Sequence, residues 1–292
     1  MAKMGCATGR VTAERFYVVS TRLLCLAQLS LIQLAPPALL RVAGEAGFGG
    51  ALVRLQKTSD GRGHDVLADR HMIKATKQAV ADTGVRIWDT EVVRLRAGVD
   101  VRDFERLLEV SADLGASYVL TTVEDDERAR AVETFAALCA LAESFGLACS
   151  LEFMIFSAAR TLHDAIAIVA AAGAPNALVL IDALHLFRSG GPVADVTRAV
   201  ESYPRLIRYV QLCDADDAGP APDENTARQE ASYARLVPGD GSLPLAELLA
   251  ALPLDCPISV EAPPAAGADV DALAFARQCF MRTQRVLNSA RS

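Results

Sequence analysis

Cysteine pairs, basic runs, long apolar stretches and glycine-rich phosphate loops are all missing from this 292-residue chain, and each absence closes off a class of function. The seven cysteines (Cys6, Cys25, Cys139, Cys149, Cys213, Cys256, Cys279) are odd in number, scattered and without a C-x-x-C pair. That pattern argues against a disulfide framework and a structural zinc site, and a reducing cytoplasm is expected. The net charge is -7 and no long Lys/Arg run occurs, so the footprint of a nucleic-acid binder is absent and a small polar substrate is expected instead. No run reaches 18 apolar residues, and the first twenty lack the basic-then-apolar order of a secretory signal, so no membrane association is expected. Residues 1–21 are poorly patterned and read as an N-terminal extension or remnant outside a catalytic domain spanning 22–292. No G-x-G-x-x-G or P-loop follows the first apolar run, where Leu29-Ser30-Leu31-Ile32 leads to Pro36-Pro37. This weakens an open, nucleotide-binding doubly wound sheet.

What is present is a repeat of apolar runs and helical stretches. Apolar residues make up 52% of the chain and aromatics only 5%, a composition suited to many helices packed over a small parallel sheet. Runs near 24–34, 50–55, 85–95, 117–123, 148–154, 177–184, 207–213 and 257–262 read as eight strands. Helices are predicted over 36–47, 66–84, 100–115, 126–146, 160–173, 192–203, 243–252 and 268–289, the first four closing on Gly47, Gly84, Gly115 and Gly146. Strands that are apolar throughout must be covered on both faces, and eight βα units predict one closed α/β barrel, a (β/α)8 TIM barrel. Residues 214–242, rich in Asp, Pro, Gly and Ala, read as one long irregular loop after the seventh strand, at the end where such loops close over substrates.

The last four runs carry oxygen-bearing side chains at their ends: Glu152, Asp182, Gln211 and Glu261, at intervals of 30, 29 and 50 residues. Each taken alone is an ordinary strand-end polar residue. In a parallel barrel, however, all strand ends meet around one opening, and buried carboxylates there need a positive partner. Three carboxylates and an amide oxygen form an all-oxygen shell, which suits one Mn²⁺ or Mg²⁺, with Co²⁺ as a further option. Arg54 and Glu91 fall at the mouth in the same register as candidate substrate-binding residues, Arg54 holding a substrate carboxylate or phosphate and Glu91 pairing with Arg54 or with another cation, with a plain structural salt bridge as the alternative for each. His71, in the loop or helix that follows, is a further candidate to line the opening and bind substrate. Pro238-Gly-Asp-Gly241 reads as a tight turn, and Arg235 just before it would reach substrate on closure of the long loop.

The stretches LEFM around Glu152, IDALHLFRSGG around Asp182 and His185, VQLCDA around Gln211, VPGDG from 237 and ISVEAP around Glu261 resemble the xylose isomerase-like TIM barrels, the sugar phosphate isomerase/epimerase superfamily. The resemblance extends over roughly residues 24–285 and includes the opening strand-helix-strand. It implies a divalent metal on Glu152, Asp182, Gln211 and Glu261, and a polyhydroxy carbonyl substrate that loses a proton next to its carbonyl through a metal-stabilised enolate or enediolate. Glu152 and Glu261 would carry protons, while His185 and Arg188 would hold substrate oxygens, His185 having a structural alternative as a cap on the strand-helix loop. Gln211 departs from the His often found there; it does not titrate, and it resembles some 3-dehydroshikimate dehydratases, so a lyase acting on 3-dehydroshikimate or an inosose is the alternative reaction. An apurinic-type endonuclease would need a histidine-rich metal cluster. The chain has only His64, His71, His163 and His185, and its acidity disfavours DNA. A non-catalytic binding protein would leave idle carboxylates repelling one another. Homo-oligomerisation is left open.

Overall fold

Eight apolar runs pair in sequence order, each parallel to the one before, and the eighth closes on the first. The computed structural model describes residues 22–265 and 267–290, so the expected extension over 1–21 lies outside the described residues. The strands are β1 (Leu24–Ala27), β2 (Gly50–Arg54), β3 (Arg86–Leu95), β4 (Tyr118–Val123), β5 (Ala148–Glu152), β6 (Ala177–Asp182), β7 (Val210–Leu212) and β8 (Ile258–Val260). The expected TIM barrel is therefore the observed architecture. Strand alternation sorts the core into two parts. Leu24 and Leu26 of β1 pack outward into the large cluster beneath the helices, whereas Cys25 and Ala27 join Leu52, Leu120, Leu180 and Tyr209 inside the barrel. Tyr209 is fully buried there and donates its hydroxyl to Asp89, whose carboxyl is pushed well above its usual range by burial.

The helices are α1 (Pro36–Ala46), α2 (Arg70–Thr83), α3 (Glu105–Asp113), α4 (Arg128–Glu143), α5 (Leu162–Ala172), α6 (Ala183–Arg188), α7 (Val193–Ser202), α8 (Glu224–Tyr233), α9 (Leu245–Ala250) and α10 (Ala272–Ser289). Gly47 and Gly84 end α1 and α2 in the left-handed conformation that a side chain disfavours, as their positions predict. Three boundaries differ from the sequence reading. The first apolar run leaves the sheet after Ala27 as a turn of 3-10 helix over Gln28–Leu31, because the buried Gln28 uses its amide to bond Leu34 O at 2.8 Å and accept the Arg54 N–H at 2.7 Å. The second helix begins at Arg70, not 66, where Asp69 caps it through the N–H groups of His71 and Met72. The stretch 214–242 is not irregular throughout, since it contains α8, capped by Asp223 on the Thr226 N–H. No helix among the described residues is long and apolar enough to cross a membrane.

The turn at Pro238–Gly241 is built around one buried carboxylate. Asp214 accepts the N–H groups of Ala215, Gly239 and Leu243, each at 2.9 Å. A β-carbon on Gly241 would overlap the Ala215 carbonyl oxygen and lie 2.6 Å from Asp214 Oδ1. Gly241→Ala is thus expected to lower unfolding free energy by about 1–3 kcal/mol through overpacking against backbone, measurable by urea denaturation. A free energy unchanged from wild type would show that the turn shifts without cost.

Candidate active site

The barrel places Glu152 and Asp182 as the last residues of β5 and β6, Gln211 in the middle of β7 and Glu261 one residue beyond β8. Asp182 pairs in register with Gln211, and Gln211 with Ser259. All four are buried, at 6%, 0%, 0% and 4% exposure respectively, so their polar atoms have little water to rely on. Glu152, His185, Arg235 and Glu261 line one cavity of about 280 Å³ at the C-terminal mouth, and ligand atoms of Glu152, Asp182 and His185 lie within 4.8 Å of one another. Asp182 also caps α6, accepting the His185 N–H at 3.1 Å, which turns the imidazole back toward the strand end.

The guanidinium of Arg235 lies between these acids. Its Nη1 is 2.5 Å from Asp182 Oδ2 and its Nη2 is 3.0 Å from Glu261 Oε2, with Nε donating to Ala231 O at 2.9 Å. Burial alone would raise the Asp182 carboxyl, but Arg235 outweighs it and holds that carboxyl below the usual range. Glu152 has no such partner: its Oε1 is buried without a hydrogen bond, and burial followed by the Asp182 and Glu261 charges pushes its carboxyl well above the usual range. Burial also pushes Glu261 up to about 7. The amide of Gln211 has neither atom hydrogen-bonded among the described residues. Buried polar atoms left this way are costly.

Burial lowers His185 to about 4 and outweighs the pull of Asp182, so the imidazole stays neutral at physiological pH. An unfolded histidine takes up its proton near pH 6.5 while the folded one does not until about 4, so this residue's contribution to stability is lost as pH falls through that window. The expected observation is a His185 ring resonance that does not titrate between pH 8 and 5. A midpoint near 6.5 would mean that the ring is solvated. Phe156 packs edge-on against the ring, with centroids 5.6 Å apart.

Of the remaining sequence-predicted residues, Arg54 and Glu91 meet as a buried pair, Arg54 Nε to Glu91 Oε2 at 3.0 Å, and Arg54 lines the cavity wall. The groups are close but not aligned as a hydrogen bond, so both Glu91 oxygens lack one. His71 is not brought to the mouth; it is exposed in the first turn of α2. Arg188 is buried, but its guanidinium is committed elsewhere. It grips Glu230 of α8 at 2.6 and 2.7 Å and donates to the carbonyl oxygens of Asp217 at 3.1 Å and Gly219 at 2.6 Å. Arg188 thereby positions the segment that delivers Arg235 and does not present donors to the cavity. The sequence reading also missed a clasp over the mouth, where Tyr233 at the end of α8 bonds Asp60 and lies under the guanidinium of Arg62, 4.4 Å from its ring centre.

A family profile described as xylose isomerase-like TIM barrel matches residues 40–279. The chain belongs to that family. No curated protein sequence matches it. Among solved structures, a fusion of a xylose isomerase-like TIM barrel with 4-hydroxyphenylpyruvate dioxygenase superposes with a TM-score of 0.76 at 19% identity, covering 89% of this chain. The chain spans 42% of that fusion protein's length. An IOLI protein with a bound zinc atom gives a TM-score of 0.75 at 17% identity, covering 91% of this chain and 98% of that one. D-allulose 3-epimerase from Methylomonas sp., in complex with D-allulose, gives 0.67 at 16%, covering 91% and 97%. At these identities the likeness establishes a shared fold.

Proposed function

We propose that the protein is a divalent-metal-dependent isomerase or epimerase of a polyhydroxy carbonyl compound, with its catalytic barrel in residues 22–292. What supports this reading is the approach of Glu152, Asp182 and His185 ligand atoms to within 4.8 Å of one another, with Glu261 lining the same cavity as Glu152, and with the Glu152 Oε1 and both Gln211 amide atoms buried and unsatisfied. These donors fit a divalent cation: three carboxylates and an amide oxygen suit Mn²⁺ or Mg²⁺, and the nearby His185 nitrogen extends the set toward Co²⁺ or Zn²⁺. When bound, such a cation would polarise the substrate carbonyl and stabilise the charge left by proton loss. Glu152 removes the proton from the carbon beside the carbonyl; burial and the Asp182 and Glu261 charges raise its carboxyl, which makes it a stronger base. Glu261 returns a proton on the other side. Neutral His185 holds a substrate oxygen, and Arg235, engaged by Asp182 and Glu261, fixes the position of those two carboxylates. The clasp between Tyr233 and residues 60–62 forms part of the cavity wall around this step.

The relatives support the reading by analogy, since one holds zinc and another acts on and binds D-allulose. The six described cysteines are all free and buried, which suits the reducing cytoplasm. The test is NMR of solvent deuterium entering the carbon next to the carbonyl, across keto-sugars, inososes and 3-dehydroshikimate. Exchange or epimerisation with one substrate class is expected. Loss of water would redirect the assignment to a lyase, and silence across the panel with metal supplied would overturn it.

A further inference from the structure

A second cavity, of about 430 Å³, opens beside the first on the loops after β2 and β3. The two share Arg54, Thr58, Ser59, Val92 and Arg94 in their walls, so one extended ligand can occupy both. Arg54, Lys57, Arg94 and Arg96 face the second cavity against a single acid, Asp103. Their partners do not cancel this charge. Glu91 takes Arg54, but Arg94 and Arg96 share one carboxylate, that of Glu124, at 3.0 and 2.9 Å. Lys57 is exposed and has no ion-pair partner among the described residues. Four cations set against Asp103, Glu91 and Glu124 leave one positive charge in excess at the mouth of this partly enclosed space, which is poorly matched to a neutral sugar. An oxyanion supplies the missing charge and can accept from a guanidinium through two oxygens. Val92, Val99 and Phe104 line the same space and offer an apolar wall to a carbon chain.

We infer that this basic arm binds a terminal oxyanion, a phosphate monoester or a carboxylate, on the substrate whose carbonyl lies at the barrel mouth. The inference rests on the proton-abstraction reading for what occupies the first cavity. Lys57 and Arg94 are the specificity-determining groups, since Lys57 has no ion-pair partner among the described residues and Arg94 shares its carboxylate with Arg96, whereas Arg54 has the buried Glu91 to itself.

The test has two independent parts. Inorganic phosphate is titrated by calorimetry into wild type, Lys57→Ala, Arg94→Ala and Glu152→Gln. Saturable binding is expected in wild type and Glu152→Gln, weakened by about tenfold in the first two variants through loss of one charge-assisted hydrogen bond. Lys57 is exposed, so its replacement does not threaten folding. Deuterium exchange is then followed on matched neutral, carboxylated and phosphorylated keto-sugars. The anionic member is expected to show at least about tenfold higher kcat/KM, a preference that collapses in Lys57→Ala, and the better of the two anions identifies the group. Phosphate binding indifferent to Lys57 and Arg94, or equal kcat/KM for neutral and anionic substrates, would overturn the inference and leave the carbonyl chemistry standing. Phosphate binding that depends on Lys57, with no exchange on any substrate, would support the arm and overturn the proton-abstraction reading.

Discussion

Glu152→Gln is expected to lower kcat for the exchanging substrate by about 10²–10⁴-fold, the range for loss of a positioned general base, while leaving the protein folded and at least as stable as wild type. The amide has the shape of the carboxyl but accepts no proton at neutral pH. It also removes a carboxyl whose ionisation is disfavoured by burial and by the nearby Asp182 and Glu261 charges. Stability and turnover therefore move in opposite directions. Thermal melting and steady-state rates on the same preparation check this. A variant that melts lower and turns over within a few-fold of wild type would show that Glu152 is only a structural strand-end residue.

Arg235→Met is expected to destabilise the metal-free protein by about 3–5 kcal/mol, the usual cost of removing one partner from a buried charge network. The thioether keeps much of the stem's packing and removes the guanidinium. Asp182 and Glu261, at 0% and 5% side-chain exposure, are then left without the cation that lies 2.5 and 3.0 Å from them. Because deprotonated acids cause the deficit, it shrinks as pH falls and the two carboxyls take up protons. A divalent cation added in excess should recover more melting temperature in Arg235→Met than in wild type, since it supplies charge where the guanidinium was. Denaturant titrations at two pH values, with and without Mn²⁺, measure all three effects. A deficit that neither acid nor metal relieves would place the role of Arg235 in packing alone.

The barrel was legible because its signal is carried by burial. Strands such as Ala177–Asp182 are apolar at every position but the last, as a sheet covered on both faces requires, and the same pattern points to Asp182 as the odd residue. Glu152 and Glu261 were found by the same logic. Arg235 was placed only loosely because its position depends on α8, whose buried stripe consists of Ala227 and Ala231 alone. Two alanines four residues apart give almost no hydrophobic period; the one available signal was Asp223 ahead of Thr226, an N-cap pattern inside a loop-like composition. The short helix α6 was hidden for the opposite reason. Its residues Ala183–Phe187 are all buried and merge with the preceding strand, so only the cap formed by Asp182 marks the change of structure. His71 was expected to line the opening from the loop or helix after β2, but the loop closes back through Val66 N to Leu55 O and His71 is exposed in the first turn of α2. Arg188 illustrates a limit of reading charge from sequence. Its donors are consumed by Glu230, 42 residues away, a contact that no local pattern announces.

The central claim is that Glu152, Asp182, Gln211 and Glu261 together hold one divalent cation. Its most direct test is the metal content of purified protein by plasma mass spectrometry after reconstitution with Mn²⁺, Mg²⁺, Co²⁺ or Zn²⁺, in wild type and in Glu152→Gln/Glu261→Gln. One cation per chain in wild type and none in the double variant, with both proteins folded by circular dichroism, is the predicted result. A wild type that retains no metal, or a double variant that retains as much as wild type, would contradict it.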